Sequence, residues 1–161
     1  MHTLLLALHV IGAILLLGPV TVAVSSFHVQ AYQASKGKES ARGTAQLLHA
    51  ITKTYGVISV LVPAIGFALM FTKSGVYWSQ GRFHVSILLS VIAWALLIIF
   101  IIPRQKRMLG ALNLLEDGEQ QEAEAEGEAR IANWDSAKKQ LSMFGGIFSL
   151  LWIIVAILMI V

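Results

Sequence analysis

Four stretches without a single Asp, Glu, Lys or Arg govern what this chain can fold into: residues 1–35, 54–72, 83–103 and 140–161. A hydrocarbon core of roughly 30 Å is crossed by about 20 apolar residues of α-helix, so each stretch is long enough to span a bilayer once. Composition agrees. Of 161 residues, 57% are hydrophobic and 13% charged, against about 25% charged in soluble domains. The expected fold is all-α: a transmembrane four-helix bundle forming one integral membrane domain. Its spans are expected at about 3–27, 54–72, 83–102 and 141–161.

Several function classes fall away at once. There is no cysteine, so disulfides, thiolate metal sites and cysteine nucleophiles are excluded. The net charge of +3, in a membrane chain, reads as basic residues beside anionic lipid and not as a nucleic-acid surface. The lipid bilayer is the expected partner, alongside other membrane subunits or further copies of this chain. The first stretch could be read as a signal peptide. It lacks Lys or Arg ahead of its apolar run, and that run exceeds a usual signal core, so it is read as a retained helix.

Charge also orients the spans. Ten of the twelve Lys and Arg fall in the first and third connections, leaving Lys73 and Arg82 on the opposite side. The positive-inside rule then places both termini outside and the loop 104–139 in the cytoplasm, in a multi-pass protein of the bacterial inner (cell) membrane. Within the spans, Pro19 predicts a kink in helix 1. Tyr55, Ser59, Pro63 and Gly66 share one face of helix 2. Helix 3 is expected to stop at Pro103. Beyond it, Met108, Leu109, Leu112 and Leu115 suggest a helix lying along the membrane surface. Alternating Glu and Ala in 120–129 reads as a solvated helical or disordered segment. The basic group Arg104, Lys106 and Arg107 reads as a topology anchor touching anionic lipid.

Five histidines are the strongest chemical candidates. No span contains a carboxylate, so a conventional proton relay is unsupported. The span serines read as interhelical hydrogen-bonders. His9 lies inside helix 1, where an ionisable side chain usually faces the interior and marks a site. His84 opens helix 3 on the same side, and His2 lies at that surface. His28 and His49 form a second layer on the other side. Histidines at matched depth on different helices are what bis-imidazole ligation of a b-type haem requires, with small and aromatic residues such as Gly12, Gly66 and Trp94 lining the slot. His9 is about 9 Å deep at 1.5 Å per residue and His84 is much shallower, so His28 and His49 match better. The competing reading is that interfacial histidines bond water, headgroups or backbone.

The run Ala7-Leu8-His9-Val10-Ile11 resembles the first helix of a broad group of small bacterial membrane proteins. That group contains HemJ-type protoporphyrinogen oxidases, CopD-like copper-resistance proteins and uncharacterised relatives. Phe83-His84-Val85-Ser86-Ile87 is similar to the opening of helix 3 in the HemJ-type members, and Pro63 and Gly66 lie in a segment loosely similar to their helix 2. Ser86 stands where a lysine is expected, and Met143-Phe144-Gly145-Gly146 replaces a polar opening of helix 4. The resemblance therefore implies a four-helix scaffold with His9 and His84 as haem or metal ligands, and not the oxidase activity. The leading expectation is a small polytopic membrane protein that binds haem b or a metal through histidines in a redox or cofactor-handling role, with an enzymatic activity left open. The alternatives are an accessory or scaffold subunit of a larger membrane complex, and a lipid or small-molecule carrier.

Overall fold

The computed structural model describes residues 1–160, apart from the Ser74 side chain. Val161, the last residue of the fourth expected span, lies outside the described residues. Four helices are long and apolar enough to cross a membrane: α1 (His2–Ser35), α2 (Glu39–Thr72), α3 (Gly81–Gly110) and α5 (Trp134–Ile160). A short helix α4 (Asp117–Ala125) lies between α3 and α5. No strand occurs among the described residues. Successive long helices run in opposite directions, and α5 returns to pack against α1. Both chain ends therefore lie at one end of the molecule, the terminal end. The α1–α2 connection and α4 lie at the other, the loop end.

Each connection has a local cause. The Lys38 and Gly37 N–H groups bond the Gln33 and Ala34 carbonyls at 3.1 and 3.0 Å, which closes the end of α1. That arrangement needs a left-handed residue, and Gly37 supplies it at φ 87°. The same pattern ends α3, where Asn113 takes φ 52°. The Asn133 side chain then accepts the Ser136 N–H at 2.9 Å and caps the start of α5.

All three prolines lie inside long helices, and each is absorbed. Pro19 follows a π-helical turn at Ala13–Leu17, and Pro103 follows another at Leu97–Ile101. A wider turn just upstream re-routes the ladder around the missing N–H. The interruption expected at Pro19 takes this form. The helix end expected at Pro103 is not observed, because the π turn lets α3 run on to Gly110. Met108 and Leu109 consequently pack into the core instead of lying on a membrane surface. Pro63 is handled differently. α2 breaks between Ile58 and Leu61, and the freed Gly56 carbonyl accepts both the Ser59 hydroxyl at 2.6 Å and the Trp94 indole N–H at 3.1 Å. The Ser59 carbonyl, four residues before Pro63, accepts the Val62 N–H at 3.0 Å, so local partners re-satisfy the backbone at the break.

Packing is uneven along the molecule. The buried cluster of Val24, Phe27, Ala45, Leu97, Leu141 and Phe148 sits toward the loop end. By contrast, His2–Gly12 contains no buried residue. Close approach depends on small residues. A Cβ at Gly56 would lie 2.7 Å from Leu97 Cδ2, and one at Gly145 would lie 3.2 Å from Val24 Cγ1. Helix association in lipid rests on such van der Waals fit.

The acidic segment is also placed differently from expectation. α4 folds back onto α2 and α3, with Ala123 buried and 3.5 Å from the position of a Gly110 Cβ. Lys53 pairs with Glu119, Lys106 pairs with Glu122 at 3.7 Å, and the Gln120 side chain donates to the Gly110 carbonyl at 3.1 Å. The Gln46 amide and Arg42 guanidinium donate to the Leu114 and Leu112 carbonyls and hold the connecting turn. Opposite charges on α2 and α3 and one small apolar contact draw in a segment whose own sequence carries no apolar stripe.

Two expectations test this packing. Gly56→Ala should lower stability in detergent, because an overpacking cost of about 1–3 kcal/mol exceeds the gain of about 1 kcal/mol from helix propensity. Gly146→Ala, which meets nothing within 4 Å, should not. Unfolding midpoints of both variants decide the matter. The hydrogen bond from Lys53 holds the Glu119 carboxyl below the ordinary carboxylate range. A carboxylate depressed in the folded state stabilises above its unfolded pKa of about 4.3, and that contribution is lost as pH falls through the lower folded value. Hydrogen exchange of the α4 amides, corrected for intrinsic rate, should therefore accelerate on acidification below about pH 4. Glu119→Gln should remove much of that dependence.

Candidate functional site

Where the tight packing ends, the terminal halves of α1, α2, α3 and α5 diverge around a cavity of about 740 Å³. Ligand pockets commonly measure about 300–1,000 Å³ and have mostly apolar walls with a few placed polar groups. This cavity has that character. Leu6, Ile14, Val62, Leu69 and Ile87 are among its walls, and His9, Tyr77, Ser90 and Trp152 are its polar members.

His9 is fixed by features built into α2. Its Nδ1 lies 3.0 Å from the Val62 carbonyl oxygen, 53 residues away in sequence. A carbonyl only accepts, so Nδ1 carries the hydrogen. The ring lies against Gly66, where a Cβ would come within 3.0 Å of His9 Cε1. Glycine at 66 is thus the condition for the imidazole to reach α2. The break ahead of Pro63 begins the helical segment Leu61–Thr72 that contains both Val62 and Gly66. Among the described residues, Nε2 has no hydrogen-bond partner. In the neutral ring it is an acceptor, the state of a histidine whose other nitrogen is tied to backbone and whose free nitrogen meets a metal or an O–H donor.

Three further groups shape the cavity. The His2 ring stacks on the wall residue Tyr77 with Nε2 2.8 Å from the phenol oxygen. The Ser90 hydroxyl donates to the Ser86 carbonyl of its own helix at 2.8 Å. The Trp152 indole N–H is buried without an acceptor. Buried polar groups are nearly always satisfied, so this donor leaves one hydrogen bond of the α5 wall unmade among the described residues.

The histidines singled out from sequence are dispersed. His84 is exposed, packs edge-on against Trp78 at 5.4 Å between ring centroids, and does not line the cavity. Its Nδ1 is 3.4 Å from the Gln80 carbonyl. His49 is buried at the loop end and donates from Nδ1 to Gln105 Oε1 at 3.1 Å. Gln105 in turn donates to the Thr52 hydroxyl at 3.4 Å, and Thr52 to the Leu48 carbonyl at 2.8 Å. His28 is half-buried, and its Nδ1 has no hydrogen-bond partner. The cavity therefore holds His9 alone among the four candidates. Among the described residues, no three His, Asp or Glu side chains are grouped to share a metal ion.

Of the residues proposed for a haem slot, Gly66 lies in the cavity wall against His9, while Trp94 serves the α2 break instead. The serines at 59 and 90 bond within their own helices, not across helices as expected. Sequence reasoning missed Val62, because the functional atom is a backbone carbonyl. It missed Gln105, whose burial follows from the continuation of α3 past Pro103. No known protein family, curated protein or solved structure matches the chain.

Proposed function

We propose that this chain is a multi-pass protein of the cell membrane, a transmembrane four-helix bundle with both termini outside, that binds one apolar-bodied small molecule or prosthetic group in the terminal-end cavity. The observation that carries this reading is His9: its Nδ1 is committed to the Val62 carbonyl and its Nε2 is left for a ligand, in a wall that is otherwise mostly aliphatic. The loop-end excess of Lys and Arg supports the orientation.

In this cavity haem b would be held by one histidine. Bis-histidine ligation from His9 and His84 is not supported, since His84 lies off the cavity. A single imidazole ligand at His9 Nε2 fits, with Met70 and Met159 as wall side chains able to offer a thioether to iron. Bound haem would supply one-electron redox chemistry, while the chain's own residues orient the imidazole and exclude water. The mostly aliphatic wall around His9 Nε2 favours a second reading: a carrier for an apolar molecule with a hydroxyl head, which donates to His9 Nε2. The accessory-subunit reading has no comparable support, because the acidic α4 pairs with Lys53 and Lys106 of this same chain.

Absorption spectroscopy of protein purified after expression with ample haem separates these readings. Haem binding gives a Soret band that His9→Ala abolishes and His84→Ala leaves in place. A band lost with His84→Ala and kept in His9→Ala would contradict the site. Gly66→Ala retains the imidazole but displaces it, and should weaken ligand binding about tenfold, equivalent to about 1.4 kcal/mol. A colourless protein whose extracted lipids include a hydroxylated apolar species, depleted in His9→Ala, supports the carrier. For the orientation, a cysteine at Glu124 should resist membrane-impermeant labelling from outside intact cells, and prompt labelling would reverse the topology.

A further inference from the structure

The three basic residues that follow Pro103 are sorted by α3 onto two faces. Lys106 turns toward α4 and pairs with Glu122. Arg104 and Arg107, three residues apart and so on one side of the helix, line a cleft of about 230 Å³ between α3, the loop before α5 and α5 itself. Gln140 faces them from α5, and Met108, Ile131 and Ala137 form the apolar floor.

Arg104 is held in place. Its guanidinium lies 4.5 Å from the Phe144 ring centroid and 5.5 Å from that of Phe100, and Nη1 donates to the Phe100 carbonyl at 3.1 Å. Its remaining N–H donors have no partner among the described residues. Arg107 has neither an ion-pair nor a hydrogen-bond partner among the described residues. The basic residues at 42, 53 and 106 are all paired with carboxylates. One carboxylate, Glu128, also lines the cleft and opposes an anion there. Immediately toward the membrane interior, Phe100 stacks on Phe144 at 5.6 Å, and Ile99, Phe100 and Met143 are exposed.

We propose that this cleft binds a phosphate group through Arg104, Arg107 and Gln140, with the neighbouring apolar surface taking the chains of a lipid that carries it. A planar fork stacked on an aromatic ring is pre-organised for bidentate contact with phosphate oxygens. Basic pockets between helices at a membrane boundary take anionic headgroups by this chemistry. The site is separate from the His9 cavity and does not depend on its ligand.

The test uses the full chain in neutral detergent, with native mass spectrometry to count and titrate bound molecules. Dioctanoyl phosphatidic acid should bind at one copy per chain, phosphatidylcholine more weakly, and inorganic phosphate weakest. The variant Arg104→Gln/Arg107→Gln should weaken phosphatidic acid binding at least tenfold, the loss of about one charge-assisted contact. Glu128→Gln should tighten it, which keeps the proposal falsifiable if the arginine variant folds poorly. Lys138→Gln, outside the cleft, should leave it unchanged. Phosphate bound as tightly as the lipid would assign the site to the free anion. No saturable binding, or binding unmoved by both the arginine and Glu128 variants, would overturn the proposal.

Discussion

One hydrogen bond organises the terminal half of this molecule: His9 Nδ1 to the Val62 carbonyl. An imidazole in an otherwise apolar span is costly unless satisfied. The bond satisfies it, fixes which nitrogen carries the hydrogen, and ties α2 to the start of α1, which has no buried residue. It also depends on α2 having a glycine at 66, since any Cβ there would meet the ring. A single polar contact thus decides both how α1 meets α2 at this end and which atom the cavity offers a ligand.

The same economy appears in the prolines. Each removes a backbone donor in a helix that lipid surrounds, and each is compensated locally. Two are preceded by π turns, and at the third the Ser59 carbonyl, four residues before Pro63, accepts the Val62 N–H instead. The consequence is positional. The π turn before Pro19 lies between the unburied start of α1 and its core-packing second half, and Ala13 and Leu17 of that turn line the cavity. The π turn before Pro103 lets α3 continue to Gly110, which places Gln105 beneath His49 and turns Lys106 toward α4. Tight packing near the loop end and an open terminal end coexist because van der Waals fit, and not hydrophobic force, holds helices together in lipid.

Much of the helical frame was legible in the sequence. The uncharged stretches mark the four long helices, and the turn at residues 36–38 follows from its glycine between lysines. His9 stood out because it is the ionisable residue deepest in a span. The rest was hidden for physical reasons. A proline read as a stop is a stop only where no wider turn absorbs it, and that depends on the preceding five residues. The docking of α4 leaves no periodic trace, because its partners are charges far away in sequence and one alanine against one glycine. The pairing of His9 with His84 depends on where each side chain points. Depth along a span does not reveal that His84 lies exposed beside Trp78, away from the cavity.

The state of the His9 ring tests the account most directly. Nitrogen-15 NMR of histidine-labelled protein in nanodiscs, with His9 assigned from the His9→Ala spectrum, reports which ring nitrogen is protonated. The account expects the Nδ1–H tautomer, with an unprotonated Nε2 whose resonance moves when ligand enters the cavity while Nδ1 stays bonded. An Nε2–H tautomer, or an Nδ1 resonance unaffected by Gly66→Ala, would contradict it.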